Sequence, residues 1–227
     1  SYQYVGSNKD PLKNIRFRAL LNERYNILSE CIANRSSVKI FYKPFDRKKM
    51  EVIFHPHLLY TFNSRMFVFG VSEKENKEPF RKFCMALDRI EGNIMGSSAG
   101  YIPALKDEYK YLAHLVGVRF EEGAELETIH LRAHDKYTFG RLVTKPLHDS
   151  QVVIQYPNWN EDREYGDVEV TVYPNVELVG QILSYGDRLE VRSPENFRQR
   201  VKKAVEAISM TYNNADANGA PEQEPIY

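Results

Sequence analysis

The stretch from His55 to Ile90 most constrains how this chain folds, because it sets cations among residues that favour β-strands. It reads HPHLLYTFNSRMFVFG and, after a charged run, FRKFCMALDRI. Histidine and arginine are costly among the apolar side chains of a strand unless each has a partner. We therefore expect this stretch to bind something anionic.

Hydrophobic alternation predicts four or five short antiparallel strands between residues 38 and 90, after a helix over residues 12–33. The charged run SEKENKEP is predicted to be a solvated hairpin loop. Ile90 is out of phase with the alternation that ends at Leu87, which predicts a bend near Asp88 and Arg89. Together these elements suggest a small SH3-like barrel.

The second half of the chain has a different order of elements. The strand TIHLRA is followed by a helical stretch over residues 136–144, the strands SQVVIQYP and DVEVTVYP, a helix over 176–185 and the strand RLEVRS. A closing helix begins at Ser193-Pro194-Glu195, where a capping residue precedes a proline and an acid. The order β-α-β-β-α-β predicts a ferredoxin-like sandwich.

Apolar residues at helical spacing predict which face of that closing helix is buried. They are Phe197, Val201, Ala204, Val205, Ile208 and Tyr212. A further helical segment is expected over residues 105–116.

These patterns predict an α+β chain of five segments. They are a linker (1–12), a barrel with its leading helix (13–100), a connecting segment (101–125), a ferredoxin-like extension (126–213) and a disordered tail (214–227).

Composition narrows the kind of function. Lysine plus arginine and aspartate plus glutamate both number 31, so any anion site must be local rather than a general basic field. Cys31 and Cys84 have no CxxC spacing and fit buried thiols in a reducing compartment. No apolar run is long enough to span a membrane, and no signal peptide opens the chain, so we expect a cytoplasmic protein.

The sequence offers little for catalysis or metal binding. His148, Asp149 and Ser150 are adjacent, but the side chains of neighbouring residues diverge and do not form a triad. The six histidines lack zinc-ligand spacing, and the glycines form no phosphate loop. We expect no enzymatic activity, no metal and no cofactor.

Three arginines stand out in or beside the predicted strands. Arg65, Arg81 and Arg89 would lie near Tyr42 and His57 if the barrel closes. Each arginine alone could lie at a strand edge, paired with a neighbouring carboxylate such as that of Asp88 or Glu51. As a set they predict a shared anion pocket, because the guanidinium fork fits phosphate and tyrosine or histidine can stack or donate.

These motifs resemble, in their order, the WYL domain, the ligand-sensing module of many bacterial transcriptional regulators. His55-Pro56 with Leu59 or Leu58 matches the family's HP-x-x-L strand, Arg65 to Val68 takes the place of its RWYL strand, and Leu87-Asp88-Arg89-Ile90 matches its LDRI. Downstream, PLHDSQ and NVELVGQILSYGDRLEVRSP resemble the extension that commonly follows a WYL domain. The resemblance covers about residues 13–212.

The resemblance implies an Sm/SH3-like barrel whose basic pocket binds a nucleotide or nucleic-acid-like effector and relays this binding to DNA. Matched by motif position, the ligand-binding residues are Tyr42, His57, Arg65, Arg81 and Arg89. The name-giving triplet is replaced by Met66-Phe67-Val68, which removes the polar role of its tyrosine and fits a place in the core.

Such regulators usually begin with a winged helix-turn-helix domain, which this sequence lacks. The opening at Ser1 favours a fragment of a longer regulator over a free-standing sensor. We expect DNA to be bound through that missing domain and the chain to form a homodimer. The alternative is a barrel that binds single-stranded nucleic acid directly, with Tyr60 or Phe62 as stacking platforms.

Overall fold

The structure of the protein is a computed structural model that describes residues 11–45, 48–73, 78–158, 160 and 163–217, without the side chains of 11–15 and 214–217. The chain divides after Tyr109 into two compact units. This division falls inside the segment predicted to connect two domains. Residues 1–10 of the predicted linker lie outside the described residues.

Helix α1 (Pro11–Ala33) precedes the first sheet, as the sequence predicts. Its Leu28 is fully buried. The helix ends just before Arg35, whose φ of 50° is left-handed and incompatible with a continuing α-helix.

The first unit is built on one antiparallel sheet. Its strands are β1 (Val38–Tyr42), β2 (Met50–Phe62), β3 (Arg65–Glu73), β4 (Phe80–Ala86) and β5 (Ile90–Gly96), in the order β4-β3-β2-β1-β5. A 3-10 turn at Leu87–Arg89 joins β4 to β5 and forms the predicted bend. The strand pairings of the described residues leave β4 and β5 at opposite edges, so the predicted closed barrel is not confirmed.

The core of this unit lies between α1, the sheet and the 3-10 turn. Its buried side chains are Leu28, Val38, Ile40, Val52, Phe54, Val68, Met85, Leu87 and Ile90. Met66 packs against this core, whereas Phe67 is only half-buried. The apolar triplet therefore contributes to the fold mainly through two of its three residues.

The second unit opens with a 3-10 helix (Lys110–His114) and contains a four-stranded antiparallel sheet in the order β7-β8-β6-β9. Its elements are β6 (Glu127–Ala133), α2 (Lys136–Thr144), β7 (Val152–Gln155), β8 (Gly166–Val172), α3 (Val176–Leu183), a 3-10 turn (Gly186–Arg188), β9 (Leu189–Ser193) and α4 (Glu195–Ala217). The predicted order β-α-β-β-α-β is observed, and an α+β chain is confirmed.

The helix expected over residues 105–116 is wrong. Only the short 3-10 helix at Lys110–His114 forms there. Asp107 has a φ of 64° and Gly117 a φ of 89°, and such left-handed residues interrupt an α-helix.

The predicted buried face of α4 is wrong for its last three residues, whereas Val201 and Ala204 are partly buried. Phe197 is buried, but Val205, Ile208 and Tyr212 are exposed to 50%, 46% and 71%. The helix has 23 residues and is about 35 Å long at 1.5 Å per residue, whereas the strand β9 that precedes it has only 5 residues. The helix is therefore much longer than this neighbouring strand. The helix also continues to Ala217, four residues into the predicted tail, and residues 218–227 lie outside the described chain.

No helix among the described residues is long and apolar enough to cross a membrane.

Candidate anion-binding site

A tight hairpin turn places Arg65 at the first position of β3. Asn63 and Ser64 have φ values of 47° and 61°, and two successive left-handed residues are typical of the turn that joins twisted antiparallel strands. Arg65 is paired with Phe62 across this turn. Its side chain therefore lies at the end of the β2–β3 hairpin.

The 3-10 turn brings Asp88 and Arg89 to the same end of the sheet. The carboxylate Oδ1 of Asp88 accepts hydrogen bonds from Arg65 Nε at 3.2 Å and Arg65 Nη2 at 2.9 Å. The side chains of both residues are partly exposed. Of the two carboxylates that the sequence offers as partners for Arg65, the structure pairs it with that of Asp88.

An exposed aromatic ring completes the group. Phe45, which follows β1, is 62% exposed, and the guanidinium of Arg89 lies directly over its ring. Arg65 Cζ is 5.8 Å from the centroid of the same ring. The backbone N–H of Lys43 donates to the carbonyl of Arg89 at 3.1 Å, which holds this segment against the 3-10 turn.

Tyr42 lies beside this group at the end of β1, where it pairs with Ile90. Its ring meets that of Phe83 edge-to-face, with centroids 5.8 Å apart. Burial raises the pKa of the Tyr42 hydroxyl, and the positive charges of Arg89 and Arg65 offset only part of that rise. The phenol is therefore neutral at physiological pH and can donate a hydrogen bond.

Tyr42, Phe45, Arg65, Asp88 and Arg89 form what we call the Arg65–Arg89 site. Two guanidinium groups and one carboxylate give it one positive charge. Guanidinium groups bind phosphate or carboxylate through paired N–H donors, and an exposed ring can stack on a planar ligand. This group of side chains is suited to a planar anion.

His57 lies elsewhere, because a β-bulge changes the alternation of β2. The register shifts between Pro56 and Leu58, which makes His57 the extra residue of the bulge. Its Nε2 lies 2.8 Å from the Ile102 carbonyl and its Nδ1 2.8 Å from the Tyr109 hydroxyl. The Ile102 carbonyl can only accept, so Nε2 is the donor there and Nδ1 of the neutral ring accepts from Tyr109.

Arg81 is also outside the Arg65–Arg89 site. Its Nη1 donates to both oxygens of Glu108, at 3.3 and 3.1 Å, and to the carbonyl of Pro103 at 3.4 Å. The Glu108 side chain is only 2% exposed, and it also accepts from the backbone N–H of Leu105 at 2.8 Å. Arg81 thus holds the segment that follows β5 against β4.

The five predicted ligand-binding residues therefore fall into two groups. Tyr42, Arg65 and Arg89 come together, whereas His57 and Arg81 belong to a second group that we call the His57–Arg81 cluster. His57 is five residues from Phe62, the partner of Arg65, which is about 17 Å along a strand. A ligand role for His57 and Arg81 stays a prediction, and it would require a second location.

Sequence reasoning missed Phe45 as a member of the site. Phe45 lies in the sequence YKPF, three residues after the predicted ligand-binding residue Tyr42. An aromatic residue that directly follows a proline at the end of a strand was the available signal, because proline resists continuing the ladder and leaves the next side chain at the surface.

The loop before β7 contains His148, Asp149 and Ser150, and its contacts to β8 are made by Ser150. The Ser150 hydroxyl donates to the Thr171 carbonyl at 3.0 Å and accepts from the Thr171 N–H at 2.9 Å. His148 Nδ1 lies 2.8 Å from the same hydroxyl. Ser150 fastens the loop to β8. Among the described residues no group of three or more histidine, cysteine or acidic side chains could hold a metal ion.

Comparison with known proteins finds a family match for part of the second unit. Residues 113–209 match the family model of the WCX domain. The WCX domain is related to WYL, so this match confirms the predicted resemblance to WYL-domain regulators with a C-terminal extension.

Two solved structures are similar to the chain at low identity. The first, proteasome accessory factor B/C (PafBC) of Arthrobacter aurescens, has 15% identity and a TM-score of 0.33 over 90% of this chain and 28% of its own. The second, a CRISPR Cas-related protein, has 13% identity and a TM-score of 0.44 over 88% of this chain and 55% of its own. The chain thus spans between about a quarter and just over half of these proteins. No curated protein matches it.

Proposed function

We propose that this chain is the ligand-sensing and oligomerisation part of a bacterial transcriptional regulator, and that an anionic nucleotide or nucleic-acid-like effector binds at the Arg65–Arg89 site. The observation that carries this proposal is the placement of two guanidinium groups against one exposed aromatic ring. In this proposal the chain is a sensor and not an enzyme, and DNA is bound by a separate domain.

Asp88 shows how an effector would be held. Its carboxylate oxygen occupies the position on the Arg65 fork that a phosphate oxygen would take. A phosphate that bridges Arg65 and Arg89 gains two cations and displaces one carboxylate, so the exchange is electrostatically favourable. The ring of Phe45, 62% exposed, is then available to stack on a base.

Substitution of either arginine tests this assignment. Arg65→Ala and Arg89→Ala are each expected to weaken nucleotide binding about tenfold or more, because a hydrogen bond to a charged group contributes about 1.5–3 kcal/mol. Isothermal titration calorimetry with mononucleotides, dinucleotides and oligonucleotides of increasing length measures the effect. Lys39→Ala is the matched control, since Lys39 is a cation of the same sheet that pairs with Glu51 instead.

The outcomes separate the two candidate functions. Binding of small nucleotides that is lost in both arginine variants and kept in Lys39→Ala supports the sensor. Affinity that grows with oligonucleotide length and falls steeply with salt supports the alternative, a direct single-strand binder. If no nucleotide or oligonucleotide binds, or if the arginine variants bind like the parent chain, the site assignment is wrong.

The oligomerisation half of the proposal is supported by α4. Val201, Val205, Ile208 and Tyr212 follow one another at spacings of four, three and four residues, which is the seam of a two-helix coiled coil. The last three of these side chains are exposed. A two-fold dimer places the same surface of each copy in contact, so a second copy of α4 offers the matching apolar seam.

Charge placed in this seam is expected to dissociate the homodimer. Val205→Glu and Ile208→Glu would each bury a carboxylate in an apolar interface, and both are expected to sediment as monomers at concentrations where the parent is a dimer. Met210→Glu is the control, because Met210 is 63% exposed and about 140–180° around the helix from the seam. A monomeric parent, or a dimer that survives both seam substitutions, would contradict this interface.

A further inference from the structure

Arg24 reaches from α1 to the 3-10 turn that carries the anion site. Its Nη1 donates to the Leu87 carbonyl at 2.9 Å, and its Nη2 donates to the Gly92 carbonyl at 3.4 Å. These two carbonyls flank Asp88 and Arg89 in the sequence. Arg24 is 7% exposed, so this contact lies inside the unit and fixes the position of the turn relative to the helix.

Asp88 acts on Arg24 as well as on Arg65. Burial lowers the pKa of Arg24, while the negative charges of Asp88 and Glu23 raise it. Asp88 therefore lies within electrostatic range of two guanidinium groups, and its hydrogen bonds go to Arg65. The Nε of Arg24 is buried without a hydrogen-bond partner among the described residues, so a donor is unused on the α1 side.

Apolar packing links the same two elements. Leu28, one turn further along α1, is fully buried in the core that also contains Leu87 and Ile90, which lie on either side of Asp88 and Arg89. Because a close-packed core resists independent movement of its parts, a displacement of the 3-10 turn is transmitted to α1. The polar and the apolar contacts thus join the same helix to the same turn.

We propose that Arg24 is the positioning residue of the Arg65–Arg89 site and couples its occupancy to α1 through Asp88. The inference rests on the proposed function. An anion that takes Arg65 and Arg89 leaves Asp88 without its hydrogen-bonded partner, and Asp88 then turns to Arg24. This second ion pair holds α1 more firmly against the turn. Binding of the anion therefore stabilises α1.

The coupling can be tested without any ligand, because Arg65→Ala releases Asp88 from Arg65 just as an anion would. Hydrogen exchange followed by mass spectrometry is measured on the full chain. Backbone amides of α1 around Arg24 are expected to exchange about fivefold more slowly in Arg65→Ala than in the parent, the lower end of usual coupling between sites. Amides in the middle of β2 serve as the internal reference and are expected to stay unchanged.

Two further variants separate coupling from a merely structural role of Arg24. In Arg65→Ala/Asp88→Asn the slowing is expected to vanish, because the neutral amide has no charge to offer Arg24. Lys39→Ala, which releases the carboxylate of Glu51 on the same sheet, is expected to leave α1 unaffected. Equal exchange of α1 in the parent and in Arg65→Ala overturns the proposal, and so does slowing that persists in the double variant.

A ligand arm separates this inference from the proposed function. A 5′-phosphorylated dinucleotide is the probe, and it is expected to slow α1 exchange in the parent but not in Asp88→Asn. If the probe binds and α1 exchange stays the same, the coupling is wrong while the site stands. If nothing binds but Arg65→Ala slows α1 as expected, the proposed effector is wrong while the Arg24–Asp88 coupling stands.

Discussion

Replacing Arg81 with alanine is expected to lower the free energy of unfolding of the first unit by about 3 kcal/mol or more. The reason is the state of Glu108, whose side chain is 2% exposed and receives Arg81 on both carboxylate oxygens. Without Arg81, a buried carboxylate keeps only the N–H of Leu105 as its described hydrogen-bond partner. An uncompensated buried charge is among the costliest defects that a single substitution creates.

A second substitution identifies the cause of that loss. Arg81→Ala/Glu108→Gln is expected to recover most of the stability, because the neutral amide no longer has to be buried as an ion. Hydrogen exchange of β4 amides measures the first unit separately, which is needed because a chain of two units does not unfold in one step. Parental stability in Arg81→Ala, or a double variant no better than the single one, would show that Glu108 does not need Arg81.

The convergence of Arg65 and Arg89 was predictable from the sequence because local features place both residues. A two-residue turn fixes Arg65, and a short out-of-phase segment after β4 fixes Asp88 and Arg89. Only the contact between these two turns, from Arg65 to Asp88, joins residues that are far apart in the sequence. The helices and strands of the second unit were predictable for the same reason. Asp135 and Asn175 cap α2 and α3, and hydrophobic alternation marks each strand.

The His57–Arg81 cluster was not predictable, because each of its residues depends on a defect in regular alternation. The bulge at His57 shifts the phase of β2, and Lys82 has a φ of 54° next to a second register shift in β4. The partners come from distant parts of the chain, as with Tyr109, which is 52 residues from His57. A period-two pattern carries no information about such contacts.

Closure of the barrel and the exposed half of α4 were also beyond the sequence. Whether β4 pairs with β5 is decided by the curvature of the whole sheet and not by either strand's composition. The apolar stripe of α4 was correctly found, but a stripe does not distinguish a face buried within the chain from one that serves a partner.

Asp167→Asn is expected to lower the free energy of unfolding of the second unit by about 3 kcal/mol at neutral pH. Asp167 in β8 is 3% exposed and accepts from Arg132 Nε and Nη2, each at 2.8 Å. His130 Nε2 lies 3.2 Å from the same carboxylate. The asparagine has the same shape but no charge, so Arg132 loses its bidentate ion pair.

The loss of stability in Asp167→Asn is expected to be smaller at acidic pH than at neutral pH. Burial raises the pKa of Asp167, but the hydrogen bonds and the positive charge of Arg132 lower it by more, leaving the pKa below its usual value. Between the folded pKa and the unfolded value of about 3.9, only the unfolded chain binds the proton, so stability rises with pH there. The contribution of Asp167 is therefore present above about pH 4 and is lost as the pH falls through the folded pKa.

Hydrogen exchange of β6 and β8 amides measures this effect, because both strands belong to the second unit. The deficit of Asp167→Asn relative to the parent is expected to shrink as the pH falls from neutral to about 3. Asp187→Asn is the matched control, since the side chain of Asp187 is 91% exposed and its loss is expected to change stability by less than about 0.5 kcal/mol. A deficit that is the same at both pH values would mean that the charge of Asp167 does not stabilise the second unit, and that the effect of the substitution is one of packing.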